Sequence, residues 1–265
     1  HAKDLQTKAD RYAQKCIIGS LTNQFPKLNI IGEEEEEGSQ ENIIDAKSIK
    51  MLNLTCPPQY ENIKEEEVMV WVDPLDGTAE YTQGLLDHVT VLIGIAHNGK
   101  VVGGVVHQPY YNYQNPGSQL GRTIWSMVGG NIGGIKVTPP PSEGCIVTTT
   151  RSHSSSTVND AVAALNPTNV LRVGGAGHKV LLLLEGLAHA YVFASPGCKK
   201  WDTCAPQAVL EAAGGKLTDI SGVDIPYQAS VPHRNSTGVL AVAPGLNFNE
   251  ILQKIPEHVK KDLKA

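Results

Sequence analysis

The sequence predicts a layered α/β protein, α+β in its first part and β–α alternating in its second, on three observations. Two β-rich runs joined by Asn98-Gly99 read as a hairpin in the first half. Short strand and helix patterns alternate from Cys145 onward. The tripled Pro139-Pro140-Pro141 stands between the two regimes as a linker. We therefore expect an N-terminal α+β subdomain over residues 1–141 and a C-terminal α/β subdomain over residues 142–265. Of the 265 residues, 41% are hydrophobic and 18% charged, which is the balance of a packed globular chain. That length suffices for one large domain or two modest ones.

Leu5, Ala9, Tyr12, Ala13, Cys16, Ile17 and Leu21 recur at helical spacing and predict an amphipathic helix from Asp4 to about Asn23. After Pro26, residues 28–31 read as a short strand ending at Gly32, followed by the acidic string 33–37. A polar stretch to about Tyr60 reads as a loop with a short helix. Residues 68–72 form a strand pattern that stops at Asp73-Pro74. The hairpin runs are 89–95 and 101–108, with a further strand at 123–127 before a glycine-rich turn region. Beyond the prolines, strands are expected at 145–150, 170–173, 190–194, 216–219 and 238–242. Helices are expected at 156–165, 178–187, 203–213 and 249–261, the third closed by Gly214-Gly215.

Net charge is −5, so no global basic field exists to attract nucleic acid, and an anionic ligand needs a local positive site. No apolar run approaches the roughly 18 residues of a bilayer span, so no membrane partner is expected. Five scattered cysteines, odd in number and without metal-binding spacing, favour a reducing, cytoplasmic setting. The tripeptides Asn53-Leu54-Thr55 and Asn235-Ser236-Thr237 match glycosylation sequons, which point the other way but arise often by chance.

The strongest local signal is Trp71-Val72-Asp73-Pro74-Leu75-Asp76-Gly77-Thr78. A buried strand delivers Asp73 to its end, Pro74 stiffens the turn, and Asp76 returns three residues later. Two carboxylates crowded on one turn repel unless cations or protons intervene, and hard oxygen ligands of this kind suit magnesium. The plain alternative is a capped turn, with Thr78 or Asp76 opening a helix near Gly77. Glu33 also follows a predicted strand, while Glu35, Glu36 and Glu37 read as a solvated loop. Trp201-Asp202-Thr203 sets a carboxylate just before a predicted helix whose Pro206 falls in the first turn; as a plain reading, Asp202 is its N-cap. Glycines 175 and 177 let backbone approach a ligand, and a helix starting near His178 offers N–H groups to an anion, with Lys179 adding charge. An ordinary glycine turn explains the same residues, and the glycine-to-lysine spacing is not that of a P-loop.

On Gly32-Glu33-Glu34, the Asp73–Thr78 segment and Trp201-Asp202-Thr203, in that order, the chain resembles a known superfamily. It is the lithium-sensitive, magnesium-dependent phosphomonoesterases that include inositol monophosphatase and fructose-1,6-bisphosphatase. The resemblance implies an αβαβα sandwich. More narrowly, the chain is similar to the bisphosphate nucleotidase branch over nearly its whole length. The supporting segments are Asp4-Leu5-Gln6-Thr7-Lys8-Ala9-Asp10, Gln108-Pro109-Tyr110-Tyr111-Asn112-Tyr113, and residues 148–154 and 191–206.

The resemblance implies that Glu33, Asp73, the Leu75 carbonyl, Asp76 and Asp202 hold two or more Mg2+ ions, with Asp73 bridging two. It implies that Thr78 and Asp10 orient or deprotonate the attacking water. Thr150, His153, Gly175 and Lys179 would contact the nucleotide. The implied reaction is hydrolysis of the 3′-phosphate of adenosine 3′,5′-bisphosphate to AMP and phosphate, with inositol 1,4-bisphosphate a secondary substrate. The alternatives are an inositol phosphate phosphatase, or a nucleotide-binding homologue without turnover. The expected partner is thus a small bisphosphate, and the expected state a monomer. Chains of the branch carry a further helix and hairpin before the segment matching Leu5, so a longer chain is expected to be more stable and faster. Ala79 stands where the branch carries lysine, a change expected to be minor.

Overall fold

The computed structural model describes residues 6–34, 43–44 and 54–264; Asp4, Leu5, Asn53 and the acidic residues 35–37 lie outside that set. Helix α1 (Lys8–Gln24) is opened by a capping box, in which Thr7 accepts from the chain and Asp10 turns back to the Thr7 N–H. Strands β1 (Asn29–Gly32), β2 (Val68–Asp76), β3 (Thr90–His97), β4 (Lys100–Gln108), β5 (Arg122–Met127) and β6 (Ile132–Gly133) form one sheet in that order. β1 and β2 run parallel and the remaining neighbours antiparallel. Asn98 and Gly99 both have positive φ, as a two-residue hairpin requires. The short helix α2 (Thr78–Thr82) follows β2.

The second sheet is built from β7 (Ile146–Thr150), β8 (Asn169–Val173), β9 (Ala190–Phe193), β11 (Lys216–Thr218) and β13 (Val239–Val242), in the order β11-β13-β9-β7-β8. β10 (Cys198–Lys199) and β12 (Arg234–Asn235) make a separate two-stranded piece. The helices are α3 (Ser156–Ala164), α4 (Ala176–Leu184), α5 (Lys200–Ala212), α6 (Phe248–Lys254) and α7 (Glu257–Asp262). Side chains alternating along β9 and β13 divide between two cores. Tyr191, Phe193, Val239 and Ala241 join the core of α4, α5 and the first sheet. Ala190, Val192, Leu240 and Val242 pack with α3 and α7.

The layers are therefore α1, first sheet, α4 with α5, second sheet, then α3, α6 and α7: the αβαβα sandwich that the resemblance implies. The middle layer lies close on the first sheet because Gly94 and Gly104, opposite one another across β3 and β4, leave a groove. A Cβ on Gly94 would lie 2.5 Å from Cys204, and one on Gly104 would lie 2.9 Å from Ala208, both on α5. Strands of the first sheet end at Gly133 and those of the second begin at Ile146, on either side of the tripled proline.

Several boundaries differ from expectation for identifiable reasons. β2 continues through Pro74 to Asp76, with a register irregularity that absorbs the proline. Helix α5 begins three residues before the expected start, so Asp202 lies within the first turn and not at the N-cap. Pro206 is then a helix-interior residue that cannot donate to the Asp202 carbonyl. The expected helix at 249–261 is two helices, because Pro256 forces Ile255 out of the helical region. Asn235 is buried and donates to the Gly238 carbonyl at 2.9 Å, so its sequon is closed to glycosylation. All five cysteines are free, and among the described residues no helix is long and apolar enough to cross a membrane.

Candidate active site

Parallel pairing of β1 with β2 creates the acidic centre. Gly32 is in register with Val72, and the Glu33 N–H donates to the Val72 carbonyl at 3.0 Å, so the next residues, Glu33 and Asp73, emerge side by side. Their carboxyl groups are in contact, and Asp202 from the first turn of α5 reaches Asp73 from the middle layer. Asp73 is 2% exposed, and its Oδ1 accepts from the Leu75 N–H at 3.0 Å. Burial first, then the charges of Glu33, Asp76 and Asp202, push the Asp73 pKa well above the usual carboxylate range. Burial likewise raises Asp202 to about 7, against the opposing hydrogen bond from the Lys199 N–H.

Asp76 is held differently. Its Oδ1 accepts from the Ala176 N–H at 2.9 Å, and its Oδ2 from the Gly177 N–H at 2.8 Å and the Thr90 hydroxyl at 2.6 Å. Burial raises its pKa in spite of these bonds and of nearby Lys179. The sequence reading offered the N-terminus of this helix to a ligand anion. In the structure, the first free N–H groups of α4 already serve the protein's own carboxylate. Thr90 was not among the expected residues; nothing in its local sequence marks it, since only the β2–β3 register sets it opposite Asp76.

Asp10 and Thr78 meet as expected. The Thr78 Oγ1 lies 3.0 Å from Asp10 Oδ1 and 3.0 Å from the Leu75 carbonyl. α2 begins without a side-chain cap, at Gly77 with φ of 89°, so Thr78 is free for this contact. Thr150 ends β7, and its hydroxyl accepts from the His153 N–H at 3.1 Å, folding the loop so that the exposed His153 ring stands edge-on to Phe193. Gly175 has φ of 72°, and a Cβ there would lie 2.4 Å from the His88 carbonyl, so only glycine fits. Lys179 lies beneath that turn: it is buried, donates to the Gly175 carbonyl at 2.8 Å and stands over the Tyr191 ring. Burial lowers its pKa, while Asp76, Glu80 and Asp202 oppose the shift.

Other side chains surround these residues. Arg151 bridges from the Thr150 loop to Glu80 and Gln83 on and just after α2. His178 stacks on His88 with centroids 4.7 Å apart, and burial lowers its pKa to about 3. Trp71, two residues before Asp73, Trp201, immediately before Asp202, and His233 form an aromatic cluster. A cavity of about 750 Å³ near the β3–β4 hairpin is lined by none of the expected site residues, and its Lys216 is paired with Glu211 and Asp224.

The donor set fits magnesium. Among the described residues no three His, Cys, Asp or Glu side chains close into a ready cage. The carboxylates instead form an open chain, Glu33–Asp73–Asp202 with Asp76 alongside. Magnesium takes one or two carboxylates and completes its shell with water and phosphate oxygens, so an open all-oxygen array suits it better than a closed one. Buried carboxylates whose ionisation is this unfavourable hold a proton until a cation supplies the counter-charge.

Comparison with known proteins now decides the family. The chain matches the inositol monophosphatase family over residues 1–260. It belongs to that family. The 3′(2′),5′-bisphosphate nucleotidase 1 of Homo sapiens is 57% identical over 266 residues, covering 99% of this chain and 86% of the human protein. The 3′(2′),5′-bisphosphate nucleotidase 1 of Dictyostelium discoideum is 40% identical, covering 89% and 81%. A Golgi-resident adenosine 3′,5′-bisphosphate 3′-phosphatase of Bos taurus is 33% identical, covering 97% and 69%. Among solved structures, a Thermotoga maritima IMPase aligns with a TM-score of 0.67 at 21% identity, covering all of this chain and 87% of that one. An IMPase/NADP phosphatase complexed with Mg2+ and phosphate aligns at 0.66 with 20% identity, covering 97% and 84%. These two share the fold of this inositol monophosphatase family member.

Proposed function

We propose that this family member hydrolyses the 3′-phosphate of adenosine 3′,5′-bisphosphate, giving AMP and phosphate in a magnesium-dependent reaction. The observation that carries the substrate is 57% identity across almost the whole chain to a bisphosphate nucleotidase. The chemistry rests on the acidic array beside the Asp10–Thr78 pair.

Glu33, Asp73, the Leu75 carbonyl, Asp76 and Asp202 would hold two or more magnesium ions. Bound magnesium neutralises phosphate oxygens and acidifies water, which lets water act as nucleophile at neutral pH. Thr78 Oγ1 lies within reach of both the Leu75 carbonyl and Asp10 Oδ1, and its single hydrogen would go to Asp10 Oδ1. The Thr78 oxygen is then left as an acceptor for a water proton, with Asp10 as its sink. Thr150, His153 and the Gly175 backbone would contact the nucleotide, with Lys179 contributing positive charge from below.

Phosphate release from adenosine 3′,5′-bisphosphate, adenosine 3′-monophosphate and inositol 1,4-bisphosphate, each with magnesium and with excess EDTA, tests this reading. The nucleotide bisphosphate should be the best substrate, yield AMP, and be inert under chelation. Preference for the inositol compound would overturn the substrate, and undiminished hydrolysis in EDTA would overturn the chemistry.

A further inference from the structure

We infer that Gln14 is a positioning residue for the metal site, fixing the chain segment that presents Glu33; the inference rests on the magnesium reading above. Gln14 lies on α1 and is 3% exposed. Its Nε2 donates to the Glu34 carbonyl at 2.6 Å, and its Oε1 accepts from the Glu34 N–H at 2.9 Å. One primary amide thus serves both backbone groups of one residue, as a neighbouring strand's peptide would.

The location gives the contact its meaning. Among the described residues β1 is the edge strand of the first sheet, paired with β2 on one side. Successive N–H groups in an extended chain point in opposite directions. The Glu33 N–H is directed to the Val72 carbonyl of β2, and the Glu34 N–H to Gln14. The segment bearing Glu33 is therefore pinned from both sides just where the sheet ends. Gly32 makes room, since a Cβ there would lie 2.3 Å from Gln14 Oε1.

Gln14 is also one helical turn beyond Asp10, and residues four apart share a helix face. From that face α1 holds Thr78 through Asp10 and the Glu33 segment through Gln14. The helix sets the distance between a candidate metal ligand and the water-orienting hydroxyl, two groups with no strand in common.

The test is calorimetric titration of magnesium into wild type, Gln14→Met and Gln14→Asn, with thermal denaturation in EDTA and steady-state kinetics alongside. Met preserves length and removes both hydrogen bonds; Asn keeps the amide but is one methylene too short to reach. Two lost bonds predict magnesium binding weaker by about tenfold in both variants. They also predict a reduced kcat with KM for nucleotide unchanged at saturating magnesium. A purely structural role would lower the melting temperature and leave magnesium affinity alone, and that result overturns the inference. If Gln14→Met does not fold, Gln14→Asn decides by the same criterion; loss of folding in both makes the role structural and also overturns it. Magnesium that gives no binding heat and no rise in the melting temperature of the wild type would instead remove the magnesium reading.

Discussion

Asp73 concentrates the conflict between stability and function in one side chain. It is buried among three other carboxyl groups, and without cations its charge is opposed by all of them. Asp73→Asn should lower activity by more than about a hundredfold, the scale on which even the partners of metal ligands act. The same change should raise the melting temperature of the metal-free protein, by roughly 2–4 °C for each kcal/mol of repulsion relieved. Phosphate release and thermal denaturation in EDTA check the pair of outcomes, and a fall in both would contradict the geometry. His153, exposed at the rim, is the converse case. His153→Ala should reduce kcat/KM for the nucleotide about tenfold, equivalent to one lost contact, and leave the magnesium requirement unchanged. Asp73 and Glu33 were legible from sequence because each follows a strand pattern, and Asp76 because it returns three residues later on the same turn. Thr90 and Gln14 were not, since their partners are 14 and 20 residues away and only the folded register brings them together.

At the scale of elements, the approach of α5 to the first sheet controls where Asp202 sits. That helix carries Asp202 in its first turn and rests its Cys204, Ala205 and Ala208 in the groove left by Gly94 and Gly104. Gly94→Ala puts a methyl where Cys204 Sγ and the Ala205 backbone already are, so α5 must lift. Overpacking of this kind costs about 1–3 kcal/mol, and magnesium affinity should fall with it, because Asp202 moves away from Asp73. Denaturant unfolding and calorimetry measure both; a stability loss without a change in magnesium affinity would show that the first turn does not follow the helix body. The sequence marked this helix by its closing glycines. It hid the true start, because the lysines at 199 and 200 resemble loop residues and Pro206 resembles a first-turn proline.

For the whole molecule, the five layers depend on alternation that the sequence displays openly in β9 and β13 and on the hairpin at Asn98-Gly99. What it does not display is that two parallel strands, β1 and β2, bring Glu33 to Asp73 from 40 positions apart. The resulting cluster predicts a pH dependence. Asp202 has its folded pKa raised to about 7, above the unfolded value near 4. A raised carboxylate pKa means that the native state holds the proton more tightly than the unfolded chain. Its stabilising contribution is therefore present at low pH and lost as pH rises through about 7. Metal-free protein should melt at progressively lower temperature between about pH 5 and pH 8 as this group ionises. Magnesium should restore the loss, with a larger gain at pH 8 than at pH 6, and its binding should release protons. Melting curves across that range, with and without EDTA, carry the comparison. A magnesium gain independent of pH would contradict the assignment of Asp202 to the site.

The aromatic cluster of Trp71, Trp201 and His233 makes the protein its own optical probe. Trp71 lies two residues before Asp73 on the same strand, and Trp201 immediately precedes Asp202; their rings are 6.4 Å apart, and His233 meets both edge-on. Cation entry alters the local field at both indoles at once, and the third tryptophan, Trp125, lies on the other side of the first sheet, against Gly133. Excitation of the unlabelled protein should therefore give an emission change that follows the ions alone, with no substrate present. Trp71→Phe and Trp201→Phe should each reduce that change, whereas Trp125→Phe should lower total intensity and leave the change in place.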